Sequence, residues 1–173
     1  MTLGIAPQMS IKDNAIADKL DDKRYCGLLM NAKAIKEDTD KWIDEYKVLC
    51  DNGEQLVGML SGGNVQKVVV AREFTSHSEL VISDQPTRGI DVGAAEFVRE
   101  RMVEMRDAGK GIILISADLA EIMSLSDSLI VMHGGKINAY FPDVKKLTEE
   151  ELGFYMLGVK HMSEEEIRGA LHD

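Results

Sequence analysis

Apolar and polar positions along the chain alternate in two different rhythms, and the switch between them divides the sequence. From Ser10 the period is helical. Ser10 can cap a turn holding Asp13, with Ile11 and Ala15 as its apolar side, and the charged stretch from Asp18 to Arg24 then breaks the pattern. A stronger helix is predicted from Asn31, with Ile35, Trp42, Ile43, Tyr46 and Leu49 at helical spacing and Asp51-Asn52-Gly53 as its stop. After Leu60 short apolar runs appear between helical ones. Ser61-Gly62-Gly63-Asn64 precedes a helix over Val65 to Phe74. Leu80 to Ser83 reads as a strand ending in Asp84. Gly93 to Ala108 reads as a helix with Ala95, Val98, Met102 and Met105 on one face, closed by Gly109. Ile112 to Ile115 is a second strand, followed by a brief helix around Leu119 to Met123. Leu129 to Met132 and Ile137 to Tyr140 flank His133-Gly134-Gly135-Lys136 as a hairpin. The tail is helical, with capping-box spacings at Thr148/Glu151 and Ser163/Glu166. Strands alternating with helices predict an α/β sheet, largely parallel in this half. No internal repeat or low-complexity tract occurs.

Composition narrows the classes. The 173 residues suit one ordinary domain, and 45% apolar content suits a packed core. Thirty acidic against twenty basic residues give a net charge of −10, which argues against an extended nucleic-acid surface. No apolar run approaches the roughly 18 residues of a membrane span, and the N-terminus lacks a signal-peptide pattern. Two cysteines, Cys26 and Cys50, are too few for a disulfide framework or a zinc site, so the compartment expected is cytosolic. The four histidines are scattered, and Trp42 and the ten methionines read as core.

Candidate chemistry gathers between Leu60 and Asp118. A helix beginning at Ser61-Gly62-Gly63 points free N–H groups and its positive dipole end toward any anion, and the glycines allow close backbone approach. Asp84 sits at the carboxyl end of a strand, the edge where open α/β sheets bind ligands. Gln85-Pro86-Thr87-Arg88-Gly89-Ile90-Asp91 forms a tight loop after it, and Ser116-Ala117-Asp118 ends the next strand at the same edge.

In combination these residues resemble the second half of an ABC-transporter nucleotide-binding domain. Leu60-Ser61-Gly62-Gly63-Asn64-Val65-Gln66-Lys67 looks like the signature motif, Leu80 to Asp84 like the Walker B strand, Ile90-Asp91 like the D-loop, and Ser116 to Leu119 like the switch-histidine loop. Asn64, the run Pro86 to Ala94 and the run Leu147 to Gly153 are similar to ATPases of simple-sugar and nucleoside importers, best the second cassette of their tandem proteins. The resemblance covers about Leu3 to Val159. It implies a partial RecA-like (P-loop NTPase) core with a helical subdomain. As one partial nucleotide-binding domain, residues 3–75 would be the helical subdomain, 76–141 the later half of the core and 142–173 an acidic tail.

The resemblance also implies ATP and Mg²⁺ as cofactors, a second nucleotide-binding domain and transmembrane permease subunits as partners, and a peripheral place on the cytoplasmic membrane face. Membrane contact would come only through the permease, and no nucleic acid is implied. Ser61, Gly62, Gly63, Asn64, Gln66 and Asp91 would contact nucleotide, with the signature reaching ATP held by the partner domain. Asp84 would hold Mg²⁺ in this domain's own site. The sequence departs from the family in three ways. No glycine-rich Walker A loop is present, Gln85 stands where the catalytic Glu belongs, and Ala117 stands where the switch His belongs. The expectations are a hydrolytically poor own site, an isolated chain inactive as an ATPase, and a strand gap between Ile112–Ile115 and Leu129–Met132 that is either closed by their meeting or covered by association. The alternative reading is a non-catalytic ATP-dependent scaffold or regulatory ABC protein.

Overall fold

The computed structural model describes residues 4–76 and 78–171. The chain forms two compact units, Met1–Ile113 and Leu114–Asp173.

In the first unit, α1 (Ile11–Ala15) starts where Ser10 accepts a hydrogen bond from the Asp13 amide. Its N-terminal amides also donate outward, Ile11 to the Gln55 carbonyl at 2.9 Å and Lys12 to the Gly53 carbonyl at 3.0 Å. Asn14, 2% exposed, fixes the preceding chain. Its Oδ1 accepts from the Ala6 amide at 2.8 Å, and its Nδ2 donates to the Ala6 and Ser10 carbonyls. A buried carboxamide costs free energy unless it is bonded on both sides, as this one is.

The second helix, α2 (Ala32–Glu45), buries Ala34, Ile35, Thr39 and Trp42. It ends earlier than the periodicity predicts. Lys47 adopts φ 51, so the helical repeat stops there and Leu49, expected on the apolar face, lies 76% exposed. Trp42 is core, with Tyr25 edge-on at 6.4 Å and the Lys19 ammonium 5.3 Å above its ring.

Helix α3 (Gly62–Phe74) begins three residues before the predicted Val65, because Ser61 caps it, and packs on α1 and on α4 (Val92–Asp107). Val68 from α3, Val81 from β1 (Leu80–Asp84) and Val98 and Met102 from α4 supply core. Strand β1 pairs with β2 (Gly111–Ile115), and the Gly111 amide donates to the Glu79 carbonyl at 2.8 Å beside that ladder.

In the second unit, α5 (Leu119–Leu125) precedes β3 (Leu129–His133) and β4 (Lys136–Phe141), an antiparallel hairpin. Gly134 and Gly135 both take positive φ, 56° and 78°, the backbone that a two-residue turn matched to strand twist requires. A bulge between Val131 and Met132 sets Ala139 and Ile137 opposite them and leaves Asn138 over. The Asn138 amide group donates to the Tyr155 and Lys160 carbonyls at 2.6 and 2.8 Å, which fixes the end of α6 (Glu149–Met156) against the hairpin. Val131, Ala139, Leu147 and Leu152 form this unit's core, with Phe141 edge-on to Tyr155 at 5.2 Å. Helix α7 (Glu164–Ala170) carries a full reciprocal capping box at Ser163/Glu166, whereas Thr148 accepts from the Glu151 amide.

The expected largely parallel sheet is therefore present as two separate two-stranded ladders, β1 with β2 and β3 with β4. The meeting of β2 with β3 that one expectation allowed is not among the pairings of the described residues. Local geometry accounts for the hairpin, since a two-residue turn can join only antiparallel neighbours, whereas β1 and β2 are joined through a whole helix. Of the histidines, His77 and His172 lie outside the described residues. His161 is exposed, as is His133, whose Nδ1 lies 3.0 Å from the Met156 carbonyl.

Candidate functional site: two helix starts beside a strained turn

Helix α3 offers its first turn to solvent. Ser61 and Gly62 are exposed, and Ser61 Oγ accepts from the Asn64 backbone at 3.4 Å and from Asn64 Nδ2 at 3.0 Å. Gly62 has open space around it, the nearest atom to an added Cβ being the Gly89 carbonyl oxygen at 4.0 Å. A helix of 13 residues with an accessible N-terminus is a favourable place for an anion, by dipole and by unpaired N–H groups.

The neighbouring residues of the run turn inward. Gly63 is buried, and a Cβ there would meet Asp91 Oδ2 at 2.8 Å and Ala94 Cβ at 3.2 Å. Asp91 is itself committed, because it caps α4 by accepting from the Ala94 amide at 2.9 Å. The two helix starts thus approach closely only because residue 63 is glycine. Asn64 Oδ1 accepts from the Leu49 amide at 2.9 Å, and Gln66 Nε2 donates to the Pro86 carbonyl at 2.8 Å. The resemblance implies that Asn64 and Gln66 contact nucleotide. The structure gives both of them protein partners, which spacing alone did not reveal. The Asp91 cap was legible, since an Asp directly before an apolar-periodic run is a helix-start signal.

Asp84 is exposed at the end of β1, and a cleft of about 280 Å³ lined by Gln66, Val70, Phe74, Ile82, Asp84 and Pro86 lies beside it. Among the described residues no group of three or more His, Cys, Asp or Glu could hold a metal ion. A lone carboxylate nonetheless fits magnesium, which is commonly bound through one or two carboxylates together with phosphate oxygens and water. Gln85 follows with φ 49, a left-handed conformation that costs a non-glycine residue about 1–2 kcal/mol. The Arg88 amide closes the turn on the Gln85 carbonyl at 3.1 Å.

Ala117 belongs to the other unit, where it is exposed between Ser116, whose Oγ accepts from the Asp118 amide at 3.1 Å, and Asp118, the cap of α5. Its methyl group offers no hydrogen bond to anything. Ser61, Gly62, Gly63, Gln66, Asp84, Gln85, Pro86 and Asp91 are brought together within the first unit.

No family model matches the chain. It is 38% identical over 156 residues to the guanosine import ATP-binding protein NupO of Bacillus subtilis, covering 90% of this chain and 30% of that protein. The xylose import ATP-binding protein XylG of Thermoanaerobacter pseudethanolicus is 36% identical over 157 residues, 91% of this chain and 31% of its own length. The nucleoside import ATP-binding protein NupA of Lactococcus lactis is 44% identical over 99 residues, 57% of this chain and 19% of its own length. The chain thus spans under a third of the curated relatives it matches. Among solved structures, a dimeric ATP-binding cassette in a post-hydrolysis state with ADP and Pi superposes with a TM-score of 0.67 at 18% identity, over 79% of this chain and 57% of that one. An ATP-binding subunit of an ABC transporter gives 0.61 at 22% identity, over 98% and 65%. The chain has the fold of part of an ABC ATPase cassette, and its sequence is similar to those of ATP-binding proteins of sugar and nucleoside importers.

Proposed function

We propose that this chain acts as the signature-bearing part of an importer's nucleotide-binding domain, the C-terminal part of a second cassette, completing an ATP site on a partner domain while its own site hydrolyses poorly. The observation that carries this reading is the exposed α3 start, with Ser61 and Gly62 facing solvent while Asn64 and Gln66 are held by the protein. Ser61, Gly62 and the first amides of α3 would meet the γ-phosphate of ATP bound by a partner nucleotide-binding domain. Gly63 and Asp91 would shape that surface from within.

On its own side, Asp84 would hold Mg²⁺ through water, and the ion would supply charge neutralisation on the phosphates. Gln85 can orient a water molecule, but a neutral amide cannot take its proton. Loss of a general base lowers turnover by roughly 10²- to 10⁴-fold. Ala117 can bond neither water nor phosphate. The partners on this reading are a second nucleotide-binding domain and permease subunits, and the place is the cytoplasmic membrane face, reached through the permease. Among the described residues no helix is long and apolar enough to cross a membrane, which is compatible with that arrangement. The subdivision into helical subdomain 3–75, core 76–141 and tail 142–173 belongs to the same proposal, as does the transported sugar or nucleoside class.

Calorimetry of the chain with Mg-ATP tests the division of labour. The signature side alone lacks the nest of N–H groups and the lysine that make most phosphate contacts in P-loop proteins. Very weak or no binding is expected, and micromolar affinity would contradict it.

A further inference from the structure

We propose that Gln66 is a positioning residue, whose carboxamide ties α3 to the turn after β1 and so sets the backbone at Gln85 from the helix that carries Ser61 and Gly62. Pro86 is buried, so its carbonyl is best satisfied by a donor within the protein. The donor is Gln66 Nε2 at 2.8 Å, twenty residues earlier in the chain. Gln66 lies four positions after Gly62, on the same side of α3 one turn further along. The residue before Pro86 is Gln85, whose φ of 49 is strained, and a following proline narrows its alternatives further. Such a conformation persists only where the surroundings over-determine it.

Two attachments do so. Gln66 holds the turn at Pro86, and Gly63 against Asp91 holds its far end where α4 begins. The turn from Gln85 to Asp91 is thereby clamped at both ends by a single helix. The clamp stands on geometry alone. Its functional consequence rests on the reading given above: the two ends of the hydrogen bond then serve different ATP sites, so displacement of the α3 start on one site shifts the water-orienting residue of the other.

Amide hydrogen exchange on the full chain tests the clamp without nucleotide. Gln66→Met keeps the length of the side chain and removes the donor, while Gln66→Lys keeps an N–H donor on a long stem. In Gln66→Met the Arg88 amide, which closes the turn on Gln85, should exchange about fivefold faster or more, with the amides of α1 keeping their rates. Gln66→Lys should retain slow exchange at Arg88. Unchanged exchange in Gln66→Met would overturn the proposal. So would equal acceleration in Gln66→Lys, because packing and not the hydrogen bond would then hold the turn. Either failure leaves the proposed function standing, since that is decided by nucleotide binding and turnover.

Discussion

At the scale of single residues, the site depends on an atom that is missing. Gly63 admits Asp91 and Ala94 into the space a Cβ would take, and Asp91 cannot swing away without releasing the Ala94 amide it caps. Gly63→Ala should therefore lower unfolding free energy by about 1–2 kcal/mol in urea titration. Gly62→Ala, one position earlier in open space, should leave it unchanged or raise it by up to about 1 kcal/mol through helix propensity. A second residue-scale device is Asp38. Arg24 donates to both its carboxylate oxygens, at 2.6 and 2.8 Å, and Tyr25 donates its hydroxyl at 2.8 Å. The hydrogen bond from Arg24 holds the Asp38 carboxyl below its ordinary range. Burial, reinforced by the bond to Asp38, pushes the Tyr25 hydroxyl up to about 12. The signs are opposite in pH. Asp38 contributes stability above the ordinary carboxylate range, lost as pH falls through its depressed value. Tyr25 contributes stability below pH 10.0, lost as pH rises from there to about 12. The thermal midpoint should fall across that alkaline window. Tyr25→Phe should remove part of the fall, the remainder coming from Tyr46, which burial also raises to about 12.

Helices were more legible at the scale of elements than their partnerships. The hairpin and the tail helices follow from local chemistry that sequence displays directly: two glycines in a turn, capping side chains, apolar spacing. The early end of α2 did not follow, because Lys47 carries no turn signature and yet adopts φ 51. Likewise the extent of the sheet was not legible, since alternation identifies strands without saying which ones pair. Exposed Leu80, Ile82 and Ile113 on the first ladder show that strand formation and strand burial are separate outcomes here. For the site, residue types and edge positions were readable from Ser61 to Asp91. The inward bonds of Asn64 and Gln66 were not, because their acceptors and donors lie 15 and 20 residues away. The coupling of the two helix starts is open to a direct check. Asp91→Ala should cost about 1 kcal/mol by loss of the α4 cap. Combined with Gly63→Ala it should cost less than the sum of the two, because it removes the oxygen that the new Cβ meets. Strict additivity in a double-mutant cycle would show that the two starts do not touch as described.

On the proposed reading the accessible start of α3 in the first unit serves a partner site, whereas Gln85 after β1 and Ala117 in the second unit offer no group that can take a proton. Similarity to importer ATP-binding proteins extends over nine-tenths of the chain, and the residues at these positions carry the proposal of asymmetry. The decisive measurement is site-resolved ATP turnover in a tandem relative whose second cassette carries residues 58–119 of this chain in place of its own. The account predicts that the site on the grafted cassette loses about 10²- to 10⁴-fold in turnover and regains it with Gln85→Glu and Ala117→His together. It predicts that the opposite site keeps its turnover until Ser61→Ala is added, which should impair that site. If Ser61→Ala instead spared the opposite site and damaged only the grafted cassette's own, the signature would not reach across to a partner, and the account would be wrong.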